Sequence, residues 1–64
     1  MIEVGKVHKG DRVRFEGQEG IVLLVDHDEY DIEIDFAPDD SAVDGRITLS
    51  VDEPGLELLP GEER

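Results

Sequence analysis

The chain has 64 residues, 18 of them acidic and 6 basic, with no cysteine and a formal net charge of −12. A chain of this length buries only about 60% of the surface its unfolded form exposes, so it can build one small aliphatic core, here without a disulfide or a zinc cluster to staple it. Its acidity works against phosphate backbones and anionic lipid as partners.

The charge is uneven. Residues 1–20 balance Lys6, Lys9, Arg12 and Arg14 against Glu3, Asp11, Glu16 and Glu19, whereas after Gly20 fourteen acids face only Arg46 and Arg64. Three explanations fit this field: a solvated surface, adaptation to high salt, where screening relieves self-repulsion, or an acidic face that takes a basic partner.

The N-terminus, Met1-Ile2-Glu3-Val4-Gly5, has neither the basic nor the apolar region of a secretory signal. No apolar run approaches the roughly 18–20 residues of a membrane span. The missing cysteine fits a reducing compartment, and a cytoplasmic location is expected.

Gly10 precedes Asp11-Arg12-Val13-Arg14-Phe15, where Val13 and Phe15 alternate with basic residues as in a strand. Gly17-Gln18-Glu19-Gly20 reads as a turn whose glycines can take positive φ. Ile21-Val22-Leu23-Leu24-Val25 reads as a fully buried strand. Its periodicity leaves open whether Val22 and Leu24, or Ile21, Leu23 and Val25, face inward. After the polar connection Asp26-His27-Asp28-Glu29, the run Tyr30-Asp31-Ile32-Glu33-Ile34-Asp35-Phe36 alternates without a break. Side chains on a strand point to opposite faces in turn, which puts Tyr30, Ile32, Ile34 and Phe36 inward and Asp31, Glu33 and Asp35 outward.

Ala37 to Gly45 reads as a surface loop. Arg46-Ile47-Thr48-Leu49-Ser50-Val51 alternates again, with Ile47, Leu49 and Val51 inward. Asp52-Glu53-Pro54-Gly55 is a turn, with room for one 3₁₀ turn, and Leu56-Glu57-Leu58-Leu59 is a last short strand stopped by Pro60. The expected core is Val7, Val13, Phe15, Val22, Leu24, Tyr30, Ile32, Ile34, Phe36, Ile47, Leu49, Leu56 and Leu58. One domain spans residues 1–64, with its core over about 7–59 and a tail from 60 to 64 expected to fray. Five short strands predict an all-β fold, a small five-stranded antiparallel barrel whose closure removes sheet edges.

Lys9-Gly10-Asp11-Arg12-Val13-Arg14-Phe15, with Gly20-Ile21-Val22 after it, resembles the KOW and Tudor-like SH3-type barrels, among them the C-terminal domain of NusG and several ribosomal-protein barrels. In that group a Gly-Asp-x-Val segment opens the first strand and a glycine at a tight turn opens the second. The resemblance covers most of residues 7–59. It implies an SH3-like barrel and a non-catalytic module that docks protein or nucleic acid within larger assemblies. The chain departs from the pattern in its shorter loop before Gly20 and in lacking most of the basic residues of RNA-binding members.

Other constellations have simpler readings. Asp26-His27-Asp28-Glu29 holds imidazole and carboxylate ligands, but neighbours in a tight connection diverge. As a calcium loop it puts Asp31 where glycine is required. Asp39, Asp40, Ser41 and Asp44 read as an ordinary polar loop. Ser41 or Ser50 with His8 or His27 lacks the setting of a nucleophile. Three aromatic residues in all are too few for a methyl-lysine cage in a chain that needs them in its core.

No catalytic residue, metal or cofactor is expected. The main expectation is a non-enzymatic binding module whose acidic face, Asp31, Glu33, Asp35 and Asp28, engages a basic protein surface, as a monomer or a weak homodimer. A second reading is an acidic nucleic-acid mimic, such as a phage- or mobile-element-borne inhibitor of a DNA- or RNA-binding protein. A third is a KOW-like ribosome- or transcription-associated domain of a halophile, contacting RNA through Lys9, Arg12 and Arg14.

Overall fold

A computed structural model describes residues 2–40 and 42–60. They form an all-β fold of five strands: β1 Arg12–Phe15, β2 Gln18–Asp26, β3 Asp31–Asp35, β4 Arg46–Ser50 and β5 Glu57–Leu58, preceded by a 3₁₀ turn at Val4–Lys6. The strands make one antiparallel sheet in the order β4-β3-β2-β1-β5. Among the described residues no helix is long and apolar enough to cross a membrane. The fraying expected of the tail concerns residues 61–64, which lie outside the described residues, as does Ser41.

The β1–β2 connection is tighter than the expected Gly17–Gly20 turn. Phe15 pairs with Gln18, leaving Glu16 and Gly17 at φ 53° and 81°. Two central residues with positive φ make a type I′ turn, whose twist suits a hairpin. Gln18 and Glu19 therefore belong to β2. Gly20 lies inside that strand, and its small size serves packing rather than a turn. A Cβ there would sit 2.6 Å from Ile34 Cγ2 and 2.9 Å from the Asp35 carbonyl oxygen.

The core is built from Ile2, Val7, Val13, Val22, Ile32, Ile34, Val51 and Leu56, with Val4, Phe15, Val25, Phe36, Leu49 and Leu58 packed against it. Three expected members are not in it. Leu24 is 58% exposed, Tyr30 56% and Ile47 47%.

Leu24 is turned out by a β-bulge. Val22 pairs with Ile34, but Leu24 pairs with Glu33 and Val25 with Ile32, so Leu23 is the extra residue and the inward phase changes between Val22 and Val25. The two alternatives for the apolar run are thus each right on one side of the bulge, and the run is not fully buried. Tyr30 lies before β3 at φ 58°. It closes the four-residue loop from His27 to Tyr30, and that left-handed turn removes its side chain from the inward face. Ile47 keeps the inward phase, opposite Ile34. It remains exposed because β4 is an edge strand with no neighbour beyond it.

Ile2, absent from the expected core, is buried where its N–H donates to the Val51 carbonyl at 2.7 Å. The N-terminal arm is thereby tied to the end of β4. At the other edge, the Leu59 N–H donates to the Arg12 carbonyl at 2.9 Å, extending the β1–β5 register by one pair.

Candidate functional site: an acidic sheet face around Leu24

Registers place the outward side chains in rows. Asp26, Asp31 and Ser50 lie side by side across β2, β3 and β4. Leu24, Glu33 and Thr48 form the next row, and Ile21, Asp35 and Arg46 the third. The structure thus brings Asp31, Glu33 and Asp35 together on one face, as the alternation predicts. It also adds Leu24, which sequence reasoning assigned to the core. Five consecutive apolar residues carry no mark of where one is inserted, so no signal in the run points to this.

The carboxylates of this face are not equivalent. Asp26 stands directly opposite Asp31, a like-charge pairing that disfavours a sheet. Its Oδ1 turns into the loop and accepts the N–H groups of Asp28 at 2.9 Å and Glu29 at 3.0 Å. Asp35 Oδ1 accepts the Ala37 N–H at 2.9 Å, closing the end of β3. Such aspartate-capped turns satisfy backbone donors that leave a strand. The same role falls to Asp40 with the Ala42 N–H, Asp44 with the Arg46 N–H and Asp11 with the His8 N–H.

Arg46 bounds the patch at the Asp35 end. Its Nε lies 3.2 Å from Asp44 Oδ1. That hydrogen bond, then the Arg46 N–H bond and the guanidinium charge, hold the Asp44 carboxyl below its ordinary 3.8. The Arg46 guanidinium is pushed the other way, by its hydrogen bond to Asp44 and that carboxylate's charge, then by Glu33 and, more weakly, by Asp35.

Asp31 and Glu33 have no hydrogen bond or ion pair from their carboxylates among the described residues, and Asp28 offers its carboxylate from the β2–β3 loop in the same condition. Some of the acidic residues thus close turns, while Glu3, Glu19 and Glu57 pair with cations. Asp31 and Glu33 stand half-buried on the face of Leu24 without a direct partner among the described residues.

The basic cluster is arranged differently. Arg14 stands between its two cross-strand partners, Glu19 on β2 and Glu57 on β5. Its guanidinium nitrogens lie 3.7 Å from one and 3.3 Å from the other. Arg12 reaches Glu19 at 3.2 Å. Half-exposed pairs like these contribute little to stability, but they occupy both guanidinium groups. Lys6 pairs with Glu3 at 3.4 Å, and Lys9 is the cluster's cation without an acidic partner among the described residues.

Tyr30, displaced from the core, lines a shallow groove of about 680 Å³ with Ile2, Val4, Gly5, Lys6 and Val51. Among the described residues no three His, Asp or Glu side chains converge as metal ligands. His27, at the loop tip, is exposed. No protein-family model, curated protein or solved structure shows a significant match to the chain.

Proposed function

We propose that the protein is a non-enzymatic binding module on an SH3-like barrel of the KOW or Tudor-like kind, and that it engages a basic protein surface through the outer face of β3. The barrel reading is supported by the strand order, by the bulge that bends β2, and by the bond tying Ile2 to the end of β4. The observation that carries the functional reading is the pair Asp31 and Glu33, held on one face beside an exposed Leu24 with no direct ion pair or hydrogen bond to their carboxylates among the described residues. Two carboxylates without a direct ion pair beside an apolar side chain suit a partner segment that places Lys or Arg beside an aliphatic residue. The apolar contact supplies burial, and the charges supply orientation and a fast encounter. Arg12 and Arg14, engaged by Glu19 and Glu57, weigh against direct RNA contact by that cluster.

Reversal of Asp31 and Glu33 to lysine tests this directly. The probe is an acetylated, amidated peptide alternating lysine and leucine, with binding measured by calorimetry at about 0.05 M KCl. Affinity should fall by about tenfold or more, whereas the same reversal at Asp39 and Glu16, away from the patch, should cost much less. Equal losses for the two double variants would show non-specific attraction to net charge and sink the reading. Displacement of a captured basic protein by duplex DNA or by RNA would assign the face to nucleic-acid mimicry instead.

A further inference from the structure

One edge of the sheet is guarded only by a charge at its start, Arg46. Natural edge strands are kept from pairing with other chains by brevity, charge, proline or bulges. β5 has only two residues between Pro54 and Pro60. β4 has five, Arg46-Ile47-Thr48-Leu49-Ser50, without an acid, a proline or a bulge, in a chain of net charge −12.

The direction of its backbone groups follows from the ladder. The Val51 N–H donates to the Tyr30 carbonyl at 2.9 Å, and the Phe36 N–H to the Gly45 carbonyl at 3.0 Å. Antiparallel pairing alternates, so residues 45, 47, 49 and 51 turn their amides toward β3, while Arg46, Thr48 and Ser50 turn theirs outward. Two of the outward groups are satisfied within the chain: the Arg46 N–H by Asp44 Oδ1 at 3.2 Å and the Ser50 carbonyl by the Glu53 N–H at 3.0 Å. Among the described residues the Arg46 carbonyl, the Thr48 N–H and carbonyl, and the Ser50 N–H have no partner.

This remaining set is complementary to itself. With a two-fold axis at Thr48, the Thr48 groups of two copies exchange N–H···O=C bonds, and each Ser50 N–H meets the Arg46 carbonyl of the other copy. Every open group is used. The two groups already satisfied, the Arg46 N–H and the Ser50 carbonyl, fall opposite one another. Moving the axis to Ile47 or Leu49 leaves at least one open group unmatched. In the same register Ile47 lies opposite Leu49, Thr48 opposite Thr48 and Arg46 opposite Ser50, so apolar side chains meet across the inner face and no like charges meet.

We propose that β4 pairs antiparallel with β4 of a second copy about Thr48, giving a symmetric dimer with a continuous sheet. Two chains of −12 repel each other, so this association strengthens with added salt, opposite to the binding of a basic partner.

The test is sedimentation equilibrium of the full chain from micromolar to millimolar concentration in 0.05 and 0.5 M KCl, with amide hydrogen exchange on the same samples. The expected result is a monomer–dimer equilibrium, tighter at the higher salt, in which the Thr48 and Ser50 amides gain protection as concentration rises. Thr48→Pro removes an outward donor without removing a bond to β3 and should weaken the dimer by about tenfold or more through two lost hydrogen bonds. Ile47→Lys, which leaves the backbone intact, should weaken it as well and carries the test if the proline variant loses its native spectrum. A chain that stays monomeric at millimolar concentration in both salts overturns the proposal. So does a dimer indifferent to Ile47→Lys, or one that protects other amides instead.

Discussion

Gly20 shows how a single residue can set the distance between two strands. Its would-be Cβ meets Ile34 Cγ2 at 2.6 Å, the Asp35 carbonyl oxygen at 2.9 Å and Phe36 Cδ1 at 2.9 Å. Two of these atoms belong to a buried side chain and to backbone, which cannot move aside cheaply. Gly20→Ala should therefore destabilise the fold by about 1–3 kcal/mol, read as a lower urea midpoint; an unchanged midpoint would mean that β3 shifts freely. The sequence marks this glycine but not its reason, because a turn glycine and a packing glycine look alike in one chain. Asp44 gives a second residue-level expectation. Its folded value lies below the ordinary 3.8 because of Arg46, so the interaction is fully present above 3.8 and is lost as pH falls through the lower folded value. Carboxyl-carbon chemical shifts should place the Asp44 midpoint below 3.8, and Arg46→Ala should raise it toward that figure.

At the scale of elements, alternation is a good guide to phase and a poor guide to where phase changes. In β3 it gives Ile32 and Ile34 inward and Asp31, Glu33 and Asp35 outward, as found. It fails at Tyr30, where a left-handed residue closes the loop, since the pattern registers polarity and not φ. The bulge at Leu23 is hidden for a related reason, because an inserted apolar residue among apolar residues leaves no trace. Exposure of Ile47 follows from strand order, which no local pattern contains. Ile2 lies outside any alternating run and joins the core across the chain, its N–H bonded to the carbonyl of the distant Val51. The bulge has a direct consequence for stability. Ile34→Ala should cost about 2–5 kcal/mol, much of the stability of a domain this small. Leu24→Lys, on the outer face, should change it by less than about 0.5 kcal/mol. Urea unfolding of the two variants separates this register from an unbulged one, in which Leu24→Lys would be severely destabilising.

The whole molecule carries its charge as a division of labour. The balance of residues 1–20 becomes a set of cross-strand ion pairs, with Glu19 and Glu57 holding Arg12 and Arg14. The excess after Gly20 is spent first on turns, through Asp26, Asp35, Asp40 and Asp44, each of which accepts a backbone N–H. Net charge read from the sequence could not separate capping carboxylates from the others, because Asp28 and Asp31 are aspartates in a loop and at a strand end just as the capping ones are. On the outer face of β2 and β3 what remains is small: Asp31 and Glu33 on β3 and Leu24 on β2, with Asp28 in the loop that joins the two strands. The most direct test is a residue-resolved NMR titration of the isotopically labelled protein with the lysine–leucine peptide at 0.05 and 0.5 M KCl. Amide shifts should concentrate at Leu24, Asp31, Glu33 and Thr48 and shrink at the higher salt. Shifts spread evenly over all acidic segments, or gathered at Lys9, Arg12 and Arg14, would contradict the assignment of this face as the binding surface.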